Sequence, residues 1–292
     1  MKGMNLKKGG DYWQIWGFPL FGGDRYQVLD RISNRLELVS SGLEGKRGGR
    51  RPMWIATVNP EFVMEAMKDS GFKKILCEKT DLNVMDGIGL IWAREVLGPN
   101  LQSKNNLLRG LRVGVEVILG KYRQKVVTGS DLMLEMCRLA KSKNYRVFFL
   151  GGWGDGAVKT GRNIQCLLSG SDVKPGKRLQ IAWSPGQPKI KNTDVLAKIN
   201  KFKPDILLVA YGMKRQEEWI EKNLSKLKVK VVMGVGRSFD YYGGDLKRAP
   251  KIWRSRGLEW LYSLIKEPKR WRRQLVLPKF AWKVIKQGCL VK

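Results

Sequence analysis

Four short apolar runs, residues 53–58, 146–150, 206–210 and 229–235, most constrain the fold, because each is rich in β-branched or large apolar side chains and is closed by glycine, proline or polar residues. Runs of this length with breakers behind them read as buried strands. Between them, residues 131–141, 156–168, 193–201 and 216–227 carry helix-like spacing. Strands alternating with helices predict an α/β, Rossmann-like fold: a mainly parallel sheet with flanking helices. Such sheets bind ligands at the carboxyl ends of their strands, so chemistry is expected just after each run. A chain of 292 residues can bury one large core and carry an appendage. The expected division is a core over 1–246, interrupted by an insertion at 99–127, and a basic helical C-terminal appendage over 247–292.

The formal net charge of +30 calls for an anionic partner: nucleic acid, a phosphorylated substrate or an acidic membrane surface. The chain has no histidine, which excludes a Ser-His-Asp triad, a histidine base and the common histidine metal sites. Acid–base chemistry therefore falls to a carboxylate, lysine, tyrosine or cysteine. Cys77, Cys137, Cys166 and Cys289 are widely spaced, without a CxxC pair. That pattern suggests neither a zinc cage nor a disulfide framework, and fits a reduced, cytoplasmic setting. Residues 1–11 lack the apolar core of a signal peptide, and no segment reaches the ~18 apolar residues of a spanning helix. A membrane, if met, is met from its surface.

Two segments stand outside the strand–helix rhythm. Residues 99–127 place Leu107, Leu108, Leu111, Val115, Ile118 and Leu119 among Arg109, Arg112 and Lys121, at roughly amphipathic helical spacing. The preferred reading is a surface helix with its apolar side on the core, and the alternative is membrane contact. Residues 247–292 are basic throughout and carry Trp253, Trp260, Trp271 and Trp282; their polarity argues against a buried core element. Tryptophan and apolar stripes beside lysine and arginine suit an interfacial helix, while a helix pair docked on the core is compatible with the same pattern.

Asp86, in Met85-Asp86-Gly87-Ile88-Gly89, is either the N-cap of the helix that follows or a general base at the mouth of the sheet. Thr57 and Asn59 close the first strand ahead of Pro60, where they shape a turn or line a pocket. Gly151 and Gly152 follow the second strand in a glycine-rich turn that lets backbone N–H groups approach a phosphate, although the register departs from G-x-G-x-x-G. Ser130 or Asp131 reads as a helix cap. Gln216 opens a helix after Gly212, facing either a substrate or solvent, and Asp240 follows the turn Gly234-Val235-Gly236-Arg237.

These motifs, with Lys247-Arg248-Ala249-Pro250 and Glu267-Pro268-Lys269-Arg270 in the tail, closely resemble the WecG/TagA/CpsF family of bacterial glycosyltransferases from about Trp16 to Arg273. The resemblance implies that Asp86 is the catalytic aspartate and that Thr57, Asn59 and Gln216 line the substrate pocket. It also implies that Gly151, Gly152 and Asp240 serve the nucleotide and that Arg270 and Arg273 are brought over the active site. Four positions depart from the family pattern: Lys214 stands for proline, Arg215 for lysine, Arg237 for glycine, and Ser263 for a third tail arginine, for which Lys266 or Arg256 are nearby substitutes.

The implied activity is inverting transfer of a hexose, such as N-acetylmannosamine, from a UDP-sugar to a polyprenyl-diphosphate-linked amino sugar. No D-x-D metal motif occurs, so no metal and no cofactor are expected. Arg248, Arg270 and Arg273 would instead stabilise the departing diphosphate. The implied partners are the UDP-sugar donor, the lipid-linked saccharide acceptor and an anionic membrane surface on the inner face of the cell membrane; a homo-oligomer is compatible. Two other classes match parts of the sequence. A nucleic-acid-binding protein rests on charge and aromatics alone, and a Rossmann-type methyltransferase or dehydrogenase rests on the turn after Leu150 without its fingerprint.

Overall fold

The computed structural model describes residues 12–42, 51–98, 105–169, 178–186, 190–268 and 271–288. A hairpin of β1 (Tyr12–Ile15) and β2 (Phe18–Phe21) leads into α1 (Arg25–Ser40). Then come β3 (Met53–Val58), α2 (Pro60–Ala66), α3 (Ser70–Lys74), β4 (Leu82–Met85), α4 (Ile88–Leu97), α5 (Asn106–Ile118) and α6 (Gly129–Lys143). The second half runs β5 (Arg146–Gly151), α7 (Gly156–Ser169), β6 (Gln180–Ser184), α8 (Asn192–Phe202), β7 (Ile206–Ala210), α9 (Arg215–Asn223), β8 (Val231–Gly234) and α10 (Ser238–Gly243). The tail adds α11 (Lys251–Ser255), α12 (Glu259–Lys266), α13 (Trp271–Gln274) and α14 (Val276–Gly288).

The strands form one eight-stranded sheet in the order β1-β2-β4-β3-β8-β7-β5-β6, in which only the β1–β2 pair is antiparallel. β3, β7 and β8 are buried on both faces, which is why they read as continuous apolar runs. Successive side chains feed opposite cores. Trp54, Ala56 and Val58 join Leu207, Val209 and Val232 under α2, α4, α8 and α9. Met53 and Ile55 join Ile206, Leu208, Val231 and Met233 under α1, α6, α7 and α10.

Two expectations from the sequence are corrected here. α5 does not turn its leucines to the core: Leu107, Leu108, Leu111, Val115, Ile118 and Leu119 are exposed, while Asn106, Gly110 and Val113 are buried. A Cβ on Gly110 would sit 3.1 Å from Trp92, whose Nε1 donates to the Gly110 carbonyl at 3.0 Å. α5 therefore packs closely on α4 through its small residues.

Nor is the tail excluded from the core. Phe280 and Val284 of α14 are fully buried, and Phe280 meets Trp16 edge-on with ring centroids 5.5 Å apart. Average polarity hides this because the apolar pair lies one turn apart on one face and the lysines lie on another. Phe280→Ala is expected to destabilise the protein by about 3–5 kcal/mol, read from the denaturant midpoint. An unchanged midpoint would mean that α14 is not docked.

Candidate active site

The carboxyl ends of β3, β4 and β8 converge on Asp86. Its N–H donates to the Val58 carbonyl at 2.7 Å, and it bridges to Val127, whose carbonyl accepts from Gly87 N–H at 3.2 Å. Gly87 sits at φ 77°, a left-handed conformation that favours glycine, and is itself the N-cap of α4. The capping reading of Asp86 is thereby corrected: its Oδ1 accepts instead from Gly129 N–H, at the start of α6, at 3.2 Å. Asp86 as a whole residue is partly buried. Burial pushes its pKa up to about 7; the Gly129 N–H pulls the other way, Glu259 and Asp131 add to the rise, and Arg248 opposes it. A carboxylate that exchanges its proton near neutrality is suited to general-base chemistry.

The α6 start is capped by Thr128, which accepts from Asp131 N–H at 3.2 Å; neither Ser130 nor Asp131 is the cap. Ser130 Oγ instead shares a 3.0 Å hydrogen bond with Ser238 Oγ. Asp131 receives Arg248 in a two-pronged pair, Nη1 at 2.6 Å and Nη2 at 3.0 Å. Arg248 also donates to Thr128 Oγ1 at 2.8 Å and through Nε to Glu259 at 3.4 Å. Burial alone would raise the Asp131 pKa, but the Arg248 hydrogen bonds and charge outweigh it and hold the carboxyl below its ordinary value. Asp131 and Glu259 thus belong to the electrostatics of Asp86. Asp131 was visible in the sequence only as a candidate cap, and Glu259 only as a tail residue.

Thr57 is buried, donates to the Gly234 carbonyl at 3.4 Å and lies against Gly129, where a Cβ would approach its Oγ1 to 3.1 Å. It spaces β8 from the α6 start that holds Asp86. Asn59 Oδ1 accepts from Phe62 N–H at 3.1 Å, capping α2, and Pro60 packs so closely on Gly89 that a Cβ there would meet it at 2.6 Å.

Gln216 is buried and faces neither solvent nor an open pocket. Its Oε1 accepts from Gly236 N–H at 3.0 Å and its Nε2 donates to Glu217 at 2.8 Å. It pins the turn after β8. Gly152 donates its N–H to the Ala210 carbonyl at 2.9 Å, and a Cβ on Gly151 would sit 2.8 Å from the same oxygen. This pair therefore closes β5 against β7, and the Gly152 N–H is engaged within the protein. Asp240 Oδ2 accepts from Arg237 Nε at 3.3 Å; burial raises its pKa and Arg237 moderates the rise.

The tail crosses this region. Gly257 approaches Ile88 so closely that a Cβ would lie 2.8 Å from its side chain. Arg237 Nη2 reaches Glu267 of the tail at 2.8 Å, and Arg273 makes a two-pronged pair with Glu61 at the start of α2. Arg248 and Arg273, expected as ligands of a diphosphate, are thus each paired with carboxylates. Arg270 lies outside the described residues. Ser263 lies near Tyr241, while Arg256 and Lys266 are exposed. Among the described residues no cluster of cysteine and carboxylate side chains could hold a metal ion.

Comparison with known proteins identifies the family of the chain. The profile of the family described as "Glycosyl transferase WecG/TagA/CpsF family" matches residues 15–109 and 109–291. Three relatives, from Bacillus spizizenii, Bacillus subtilis and Staphylococcus aureus, are each named N-acetylglucosaminyldiphosphoundecaprenol N-acetyl-beta-D-mannosaminyltransferase. The first is 30% identical over 259 residues, covering 88% of this chain and 89% of its own length. The second is 30% identical over 80% of this chain and 79% of its own. The third is 28% identical over 82% of each. With the profile spanning nearly the whole chain and Asp86 held at the strand ends, the protein belongs to the WecG/TagA/CpsF family of glycosyltransferases.

Proposed function

We propose that the protein transfers N-acetylmannosamine or a related hexose, with inversion, from a UDP-sugar to a polyprenyl-diphosphate-linked amino sugar. The observation that carries this reading is the Asp86 carboxyl, held by Gly129 N–H and pushed up to about 7 by burial. Asp86 takes the proton of the acceptor hydroxyl. The freed oxygen attacks the anomeric carbon, and the bond from that carbon to the diphosphate breaks, leaving its electron pair on UDP. The transition state is oxocarbenium-like, with negative charge growing on the diphosphate.

Fixed cations take the place of a metal at that charge. Arg270 and Arg273 supply them, Arg273 exchanging Glu61 for phosphate, while Arg248 holds Asp131 and so sets the field at Asp86. Thr57 and Gln216 act by positioning the strand-end turns. Asn59, Gly151, Gly152 and Asp240 border the donor. The core over 1–246 carries the donor chemistry, and the appendage over 247–292 closes over it at an anionic membrane surface, on the inner face of the cell membrane.

The test is UDP release by the purified protein from a panel of UDP-hexoses, with a short-chain lipid-diphosphate amino sugar and EDTA present. Acceptor-dependent release from one donor is expected. Folded protein that releases no UDP from any donor, or that releases it only when a divalent metal is restored, would overturn the reading or its metal-free part respectively.

A further inference from the structure

We infer that α5, with the outer face of α14 beside it, is a docking surface for an anionic phospholipid bilayer. The inference deepens the proposed action on a lipid-linked acceptor and names the surface that meets the lipid. At 3.6 residues per turn, Leu107, Leu108, Leu111, Val115, Ile118 and Leu119 fall within about 120° of arc on α5. All six are exposed, Leu111 at 61% and Leu119 at 79%. A contiguous apolar face of this kind is uncommon on a soluble monomer and marks an interaction surface.

The helix cannot simply have been left unpacked, because its other side is firmly seated. Gly110 lies against Trp92 and Ile285, and Asn106 Nδ2 reaches the Ile285 carbonyl at 3.5 Å. Ile285 brings α14 alongside, and on that helix Trp282 stands out at 66% exposure, on the face opposite the buried Phe280 and Val284. Exposed Lys279 and Lys286 flank Trp282. The helix packed beside α5 thus also presents an exposed tryptophan with a lysine border, the pattern of a helix lying in the headgroup plane.

Charge selects the occupant. Residues 105–125 hold five cations, Arg109, Arg112, Lys121, Arg123 and Lys125, against the single carboxylate of Glu116, which Arg112 and Lys121 pair; Lys125 also reaches Glu95 at 3.3 Å and Arg109 turns to the Gly98 carbonyl, yet the segment keeps an excess of positive charge. A second copy of a chain of net charge +30 would bring two such basic rims together, whereas anionic headgroups complement them. No described helix is long and apolar enough to cross a membrane, so this face would lie on the surface. The chain leaving α5 runs to Val127 and Gly129, which contact the Asp86 turn, so docking here brings the base to the level of a lipid-borne acceptor.

The test is co-sedimentation of the full chain with phosphatidylglycerol–phosphatidylcholine vesicles and with phosphatidylcholine vesicles alone. Wild type is expected on the anionic vesicles, with binding that weakens as salt rises. Leu111→Gln/Val115→Gln should weaken partition at least tenfold, and Lys279→Gln/Lys286→Gln should flatten the salt dependence. In both variants far-UV circular dichroism and UDP release on a water-soluble acceptor should stay at wild-type levels. Undiminished partition of the α5 variant would overturn the inference. So would a wild-type oligomer that this variant converts to monomer while vesicle binding persists, since the face would then belong to a second copy. If wild type binds vesicles through α5 but releases no UDP, the functional reading falls and the docking surface stands.

Discussion

Asp86→Asn is expected to lower turnover by a factor on the order of 10²–10⁴ while leaving donor affinity intact and raising stability at pH 8. The asparagine can still accept from Gly129 N–H, so the strand-end geometry survives, but it cannot take a proton. The stability gain follows from linkage. The folded carboxyl titrates at about 7 against an ordinary value of 3.8, so between these values the native state holds a proton that the unfolded chain has released. Stability therefore falls as pH rises through that window, and the asparagine variant escapes the fall. In the wild type, kcat/KM should rise through about pH 7 as Asp86 ionises. Three measurements check the set: pH–rate profiles, isothermal titration with the UDP-sugar, and thermal melts at pH 5 and pH 8. A variant with normal turnover would remove Asp86 from the chemistry; one with no gain at pH 8 would mean that the carboxyl is not strained by burial.

The second large effect is expected at Arg248→Ala, which should cost about 2–3 kcal/mol of stability and move the acid limb of the pH profile upward. The pair with Asp131 is two-pronged and half-buried, so the loss is discounted from that of a fully buried pair. Removing the cation leaves the Asp131 charge with only the longer 3.5 Å pair to Arg254, and both the lost cation and the less compensated carboxylate favour the protonated form of Asp86. Arg248→Lys should rescue only part of the loss, because an ammonium cannot make the parallel pair. Asp131→Asn in the Arg248→Ala background should restore much of the stability and return the limb towards its wild-type position. If the double variant were no more stable than the single one, the two residues would not be coupled, and the field at Asp86 would have another source.

The four apolar runs correspond to β3, β5, β7 and β8 to within two residues at each end, because a strand buried on both faces writes a continuous apolar pattern. β4 escaped the same reading because Asn83 stands in its middle. That residue is buried, and its Nδ2 reaches the carbonyls of Pro19 and Leu76 at 2.9 and 2.7 Å, partners that a local pattern does not reveal. β6 was unreadable for another reason: as an edge strand it mixes exposed Gln180 and Trp183 with partly buried Ile181 and Ala182 and buried Ser184, so it writes no continuous apolar run. At the site, the glycine turn after Asp86 marked a strand end in the sequence, whereas the role of Asp86 as base came from the family resemblance. Thr128 as the α6 cap was missed because Thr128, Ser130 and Asp131 are all competent caps.

From the residues alone came the α/β alternation, the strand-end turns and the family, all of which rest on patterns of side-chain type along short stretches of chain. Tertiary structure decided the rest. Periodicity shows that α5 has an apolar side but not which way it faces; Gly110 fitting against Trp92 and Ile285 turned the leucines outward. It likewise cannot tell that α14 finds a place for Phe280 beside Trp16. The pKa of Asp86 depends on Gly129, Asp131, Arg248 and Glu259, groups that lie far along the chain and meet only when it folds. Local sterics write secondary structure into neighbouring residues, whereas burial and Coulomb fields are summed over whatever the fold brings close, and that sum exists only in three dimensions.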